Sequence, residues 1–90
     1  MIIYSYVYED YIYNFQDEDH AIASLENLIK DILDNAVEEE YISKDERGTL
    51  YDDLTAEIEF EEGYTETIWT EDYTGGHNIK LYAGYIIDRI

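Results

Sequence analysis

Carboxylate side chains alternate with apolar ones in the stretch TAEIEFEE at residues 55–62. If this stretch is extended, its acids point one way and its apolar side chains the other. The acids are Glu57, Glu59 and Glu61, and the apolar residues are Ala56, Ile58 and Phe60. Acids two residues apart on a strand lie roughly 6.6 Å from each other, and like charges that close repel. We therefore expect the row to serve a basic partner rather than the fold.

Further acids and two tyrosines extend this candidate surface, and no Lys or Arg lies between Arg47 and Lys80. The additional candidate partner-binding residues are Glu62, Glu66, Glu71 and Asp72, then Glu38, Glu39 and Glu40, and finally Tyr64 and Tyr73. The two tyrosines fall at predicted loop tips, where a large rigid ring with a polar end suits a binding contact. Packing against a sheet is the more ordinary use of the many other tyrosines.

Metal binding and catalysis have little support in the sequence. His20 and His77 are far apart, and the chain has no Cys, so no zinc constellation is visible. Oxygen ligands for calcium are abundant, but Asp17-x-Asp19 lacks EF-hand spacing and is better explained as a helix cap, and the same spacing fails at Glu71-Asp72. We expect no metal site and no cofactor.

Nucleophilic and phosphate-binding motifs are also missing. No serine sits in a nucleophile elbow, and Gly75-Gly76 is followed by neither Lys nor Ser or Thr. A carboxylate pair somewhere is inevitable among 23 acids and therefore says nothing about glycosidase chemistry. We expect no enzymatic activity.

Periodicity indicates the elements that position these residues. Residues 2–8 alternate as a strand with one tyrosine row in the core, and residues 9–16 are interpreted as the end of that strand or a loop. Apolar residues spaced three and four apart predict a helix over 18–38, capped by Asp17. Ser43 and Glu46 match a capping box, which predicts a second helix over 44–54.

Three strands complete the prediction. They cover 55–62 and 64–71 with a turn near Gly63, and then about 78–88 after a turn at Gly75-Gly76. The predicted order is β-α-α-β-β-β, which gives an α+β fold: an antiparallel sheet of about four strands with two helices packed on one face. Residues 1–90 would form a single acidic domain.

The charge balance narrows the class of partner. The chain has 23 acidic and 5 basic residues, a formal net charge of −18, which disfavours direct binding to nucleic acid or an anionic membrane. Its 46% hydrophobic and 16% aromatic content predicts a folded domain rather than a disordered acidic tail. No apolar run approaches the ~18 residues that a membrane span needs. We therefore expect a basic protein partner.

In small size, absence of Cys, extreme acidity and mixed helix and sheet content, the chain resembles the DNA-mimicking inhibitors of phages and other mobile elements. These include anti-CRISPR proteins, anti-restriction proteins and uracil-DNA glycosylase inhibitors. The resemblance covers the whole chain but is compositional, with no motif matched residue by residue. It implies an inhibitor in the cytoplasm of a host cell that blocks target DNA binding by a defence nuclease, a CRISPR effector ahead of a restriction enzyme.

Two alternatives remain open. The first is an acidic interaction module that binds another basic protein, such as a restriction enzyme, DNA glycosylase or nucleoid protein, without competing with DNA. Such a module would be a monomer or a small homo-oligomer built on exposed tyrosines. The second is an acidic domain that binds divalent ions and is stabilised by calcium. Excess DNA would displace a mimic from its target but need not displace an interaction module.

Overall fold

A computed structural model describes residues 2–69 and 78–84 of the chain. The elements in chain order are β1 (Ile3–Tyr8), β2 (Tyr11–Phe15), α1 (Glu18–Glu38), α2 (Lys44–Ala56), β3 (Thr65–Trp69) and β4 (Asn78–Gly84). In this part of the chain, two helices pack against one antiparallel sheet of four strands. The predicted α+β class is therefore confirmed, but the order is β-β-α-α-β-β, so one strand lies elsewhere than predicted.

The unforeseen strand is β2, in the region interpreted as a strand end or loop. It pairs with β1 from Tyr4↔Phe15 to Tyr8↔Tyr11, so only Glu9 and Asp10 form the turn. Glu9 has a φ of 55°, the left-handed backbone that tight hairpin turns require. Asn14 interrupts the apolar pattern because it faces away from the helices, where the Ser5 hydroxyl donates to its side-chain oxygen at 2.5 Å.

The strand predicted over 55–62 is wrong, and so is its hairpin around Gly63. Helix α2 continues to Ala56, and residues 58–61 join no strand. Glu62 makes a single bridge to Ala83, beside which the Gly63 N–H donates to the Ala83 carbonyl at 2.9 Å. Backbone groups of this segment thus meet the sheet at one point only.

The sheet order is β2-β1-β4-β3, and all neighbouring strands are antiparallel. The pairing of β3 with β4 and the docking of the N-terminal strand beside them are confirmed. The predicted extensions of these strands, to 71 and to 88, and the turn at Gly75-Gly76 lie outside the described residues.

Both helices begin where the sequence predicts. The Asp17 carboxylate accepts the backbone N–H of Asp19 at 2.8 Å and starts α1. Ser43 and Glu46 form the expected capping box at α2, with two bonds of 3.1 Å. Helix α1 lies against β1 and β2, and α2 packs against α1.

The core lies between α1 and one face of the sheet. It contains apolar side chains from both helices and from β1, β3 and β4, among them Leu25, Ile29, Leu33, Ile68, Ile79 and Leu81, each at most 1% exposed. Tyr6 is 3% exposed, and its hydroxyl lies 2.6 Å from the Ser24 hydroxyl. The prediction that one tyrosine row of β1 faces the core is thereby confirmed, and the hydroxyl pair ties β1 to α1.

Candidate partner-binding surface

The acidic segment, defined here as residues 57–62, follows directly on α2. Glu57 is the C-cap of that helix, with a φ of −83° and a ψ of −6°. Ile58 and Phe60 are half-buried and pack against the core. The Phe60 ring meets the Tyr4 ring edge-on, at a centroid distance of 5.7 Å. These two apolar side chains anchor the segment to the fold.

The predicted alternation survives although the strand does not. Glu57, Glu59, Glu61 and Glu62 are all exposed, opposite the half-buried apolar pair. Ala56 departs from the predicted apolar row, because it is exposed on the last turn of α2.

The acidic turn at residues 38–40 closes α1 in an unusual way. The Tyr41 N–H donates to the Ala36 carbonyl at 2.9 Å, and the Glu40 N–H donates to the Val37 carbonyl at 3.0 Å. This pair of bonds defines a Schellman motif, whose left-handed position is usually glycine. Here that position is Glu40, with a φ of 65°. A glutamate therefore occupies a backbone conformation that costs it energy.

Helix α2 connects the acidic turn to the acidic segment. A helix of 13 residues is roughly 20 Å long at ~1.5 Å per residue. Asp45 and Glu46 are exposed near its start and Asp52 and Asp53 near its end, so acids recur at both ends of the helix between the two clusters. We name this surface the acidic ridge. Its members are Glu38, Glu39, Glu40, Asp45, Glu46, Asp52, Asp53, Glu57, Glu59, Glu61 and Glu62.

The helix ends add to the negative field of the ridge. Neither helix has a basic residue in its last turn, although the dipole makes each C-terminus partially negative. Lys44 and Arg47 are the basic residues within the ridge sequence, and Arg47 is paired with Asp34 on α1. Among the described acids, all are exposed except Glu26, which is half-buried. Most of this charge is therefore available to a partner.

Glu66 lies apart from the alternating row. It is exposed on the edge strand β3 and pairs with Leu81, so it projects on the helix side of the sheet. Glu62 meets Ala83 two residues further along β4, a backbone separation of roughly 6.6 Å. Glu66 thus extends the acidic segment at the sheet edge. Glu71, Asp72 and Tyr73 lie outside the described residues.

Exposed tyrosines follow three acidic turns. Tyr64, predicted as a contact residue, is 62% exposed beyond Glu61 and Glu62. Tyr41 is 63% exposed directly after the acidic turn, and Tyr11 is 64% exposed after Glu9 and Asp10. Tyr11 and Tyr41 were not among the predicted contact residues, although two or more acids just before a tyrosine is a pattern visible in the sequence. A carboxylate beside an aromatic face suits a guanidinium, which pairs with the first and stacks on the second.

Other kinds of site find no support in the residues that the structure describes. There, no group of three or more His, Asp or Glu is placed to hold a metal ion. Asp45, Glu46, Thr49 and Leu50 line a shallow depression on α2 that is open to solvent. No helix within the described ranges is long and apolar enough to cross a membrane.

Comparison with known proteins found no matching family model, no matching curated protein and no matching solved structure.

Proposed function

We propose that this chain is an acidic nucleic-acid mimic that binds the basic DNA-binding site of a defence nuclease, in the first place a CRISPR effector, and blocks target DNA binding. The observation that carries the proposal is the acidic ridge. Its carboxylates are exposed on a helix and on a segment anchored by Ile58 and Phe60. Preorganised carboxylates attract Lys and Arg without first paying the entropy of ordering a flexible tail.

The dimensions of the ridge support this proposal. Helix α2 alone separates the acidic turn from the acidic segment by roughly 20 Å. One DNA strand places its phosphates ~3.4 Å apart along the axis, so the same distance holds about six of them. A groove lined with Lys and Arg for a short stretch of duplex would therefore find carboxylates over a comparable length.

Local energetics support it as well. The exposed acids of the segment repel one another, and no Lys or Arg lies between Arg47 and Lys80 to offset them. Glu40 adds the cost of a left-handed backbone and of a negative charge at a helix C-terminus. Strain and repulsion that do nothing for folding are expected where a surface has been shaped for binding.

The exposed tyrosines favour a second candidate function. Tyr11, Tyr41 and Tyr64 offer aromatic area that a phosphate backbone lacks. An acidic interaction module that binds an arginine-rich protein surface without competing with DNA would use both the acids and these rings. The two functions separate in one observation, because only the mimic is displaced from its target by excess DNA.

A charge-reversal variant tests the proposal. Glu57, Glu59 and Glu61 are changed together to Lys, and inhibition of target-DNA binding by a guide-loaded CRISPR effector is measured. We expect inhibition to be lost, because these exposed acids would meet the basic groove. Since the changes relieve repulsion, the free energy of unfolding should stay the same or rise.

A second triple variant provides the matched control. Asp10, Asp19 and Asp31 are exposed outside the acidic ridge, and their change to Lys alters the net charge by the same amount. We expect this variant to inhibit more strongly than the segment variant. Equal inhibition by the two variants would mean that net charge alone acts, and full inhibition by the segment variant would refute its role.

A further inference from the structure

The face of the sheet that turns away from the helices has a different character from the rest of the surface. Strand residues paired directly across an antiparallel ladder share a face. Tyr6 and Leu81 pair on the core side, so Val7 and its two partners, Ile12 and Lys80, lie on the opposite side. By the same register this open face carries Ile3, Ser5, Val7, Ile12, Asn14, Thr65, Thr67, Asn78, Lys80, Tyr82 and Gly84.

The open face contains no acid among the strand residues that the structure describes. In a chain with a net charge of −18, a strand face without acids differs clearly from the rest of the surface. Its apolar members Ile3, Val7, Ile12 and Tyr82 are half-buried, and none of them belongs to the hydrophobic core cluster. They form an apolar patch of their own, separate from the core.

Small groups at the centre of this face are already covered or hydrogen-bonded. The Tyr82 ring lies across Gly84, where an added Cβ would come within 2.9 Å of three of its atoms. Ser5 is fully buried there and donates its hydrogen bond to Asn14. Covering this central part of the face would therefore leave no buried hydroxyl without a partner.

We propose that the open face is the contact surface of a weak homodimer, in which two sheets pack face to face. A basic partner would find no carboxylate on this face, whereas a second copy can approach through it without bringing acids together. Lys80 can lay its aliphatic stem along the patch while its ammonium stays in water. The acidic ridge lies on the helix side and stays accessible in such a dimer.

The size of the face limits the affinity. Four strands about 4.8 Å apart and about six residues long cover roughly 400 Å² in projection. Two copies together cover roughly 800 Å², less than stable specific interfaces bury, so the dimer should form only at high protein concentration. The affinity of this dimer should depend on salt in the opposite way to that of a complex held together by opposite charges. Salt screens the repulsion between two acidic bodies, so association should strengthen as salt rises.

Sedimentation velocity of the full chain, up to about 500 µM and at about 50 mM and about 500 mM NaCl, tests this proposal. We expect the 10.7 kDa monomer to give way to a dimer as protein and salt increase. Lys80→Glu should prevent the dimer, whereas Lys30→Glu, the same exposed exchange on α1, should not. Circular dichroism establishes that both variants are folded.

Three results would overturn the dimer. The first is a monomer under all conditions, which would mean that the open face is bare or covered by other residues of the chain. The second is a dimer that weakens as salt rises. The third is equal association of the two Lys variants. None of these results bears on the acidic ridge, since inhibition by the ridge variants is measured separately.

Discussion

Glu40 is the residue at which binding and folding conflict most directly. It combines a φ of 65° with a position just beyond the C-terminus of α1. The backbone conformation favours glycine, and the helix dipole disfavours a negative charge there. Both effects act on the same side chain, so its removal should raise the free energy of unfolding.

Glu40→Gly should therefore stabilise the protein by about 1 kcal/mol, after allowance for the larger conformational entropy of glycine in the unfolded chain. For a domain of this size, the melting temperature should rise by roughly 4–8 °C. Thermal unfolding followed by circular dichroism measures it. The same variant should inhibit less well if Glu40 contacts the target.

Glu39→Gly is the matched control, because it removes the same charge at a residue with a φ of −82°. Glycine has no backbone advantage there, so no comparable gain is expected. Equal stabilisation by the two variants would show that charge, and not the left-handed backbone, limits the stability of this turn.

Tyr6 gives the fold a dependence on alkaline pH. Burial is the main cause that raises the pKa of Tyr6 above its ordinary value of 10.0, and burial likewise raises the pKa of Tyr8. The folded state thus favours the neutral phenol. The stabilising contribution is complete below pH 10 and is lost as the pH rises through the pKa of the folded state.

The free energy of unfolding should accordingly fall above about pH 10. Tyr6→Phe should reduce that slope and, at neutral pH, lower stability by about 0.5–1.5 kcal/mol through loss of the bond to Ser24. Urea unfolding at a series of pH values measures both quantities. An unchanged slope in the variant would show that Tyr6 does not ionise in this range.

At the scale of elements, the acidic segment depends on two side chains for its position. Residues 58–61 lack strand pairing, so between the bond from the Ile58 N–H to the Thr55 carbonyl and the Glu62 bridge the segment is held by the packing of Ile58 and Phe60. The acids between and after them gain their fixed position from that contact. Packing and charge can therefore be separated by substitution.

Phe60→Ala should lower the free energy of unfolding by about 1–2 kcal/mol, less than for a fully buried Phe because this ring is half-exposed. Glu59→Gln, one position away, should leave it unchanged or raise it. Denaturant titration compares the two. If Phe60→Ala costs nothing, the ring does not anchor the segment.

Some of these elements could be predicted from the sequence and others could not. The helices followed from caps and spacing, and the exposure of Glu57, Glu59 and Glu61 followed from alternation. Alternation alone could not tell a strand from an extended segment, because it reports side-chain direction and not pairing. Strand β2 escaped detection because its turn uses Glu9 where a glycine or asparagine would have marked a hairpin.

At the scale of the molecule, charge is segregated. Acids occupy the helix side and the acidic segment, whereas the open face of the sheet has none among its described residues. The two surfaces should respond to salt in opposite ways, since one attracts a basic partner and the other suits a second acidic copy. This arrangement leaves the ridge free when the open face is covered.

The most direct test of the central claim is a DNA-competition titration. The protein is added to a guide-loaded CRISPR effector, and separately to a restriction enzyme, while binding of target DNA is followed at two salt concentrations. A mimic predicts that DNA binding is lost, that excess DNA restores it, and that inhibition weakens as salt rises. Undiminished DNA binding by both enzymes while the protein is bound to either of them would contradict mimicry and favour an interaction module.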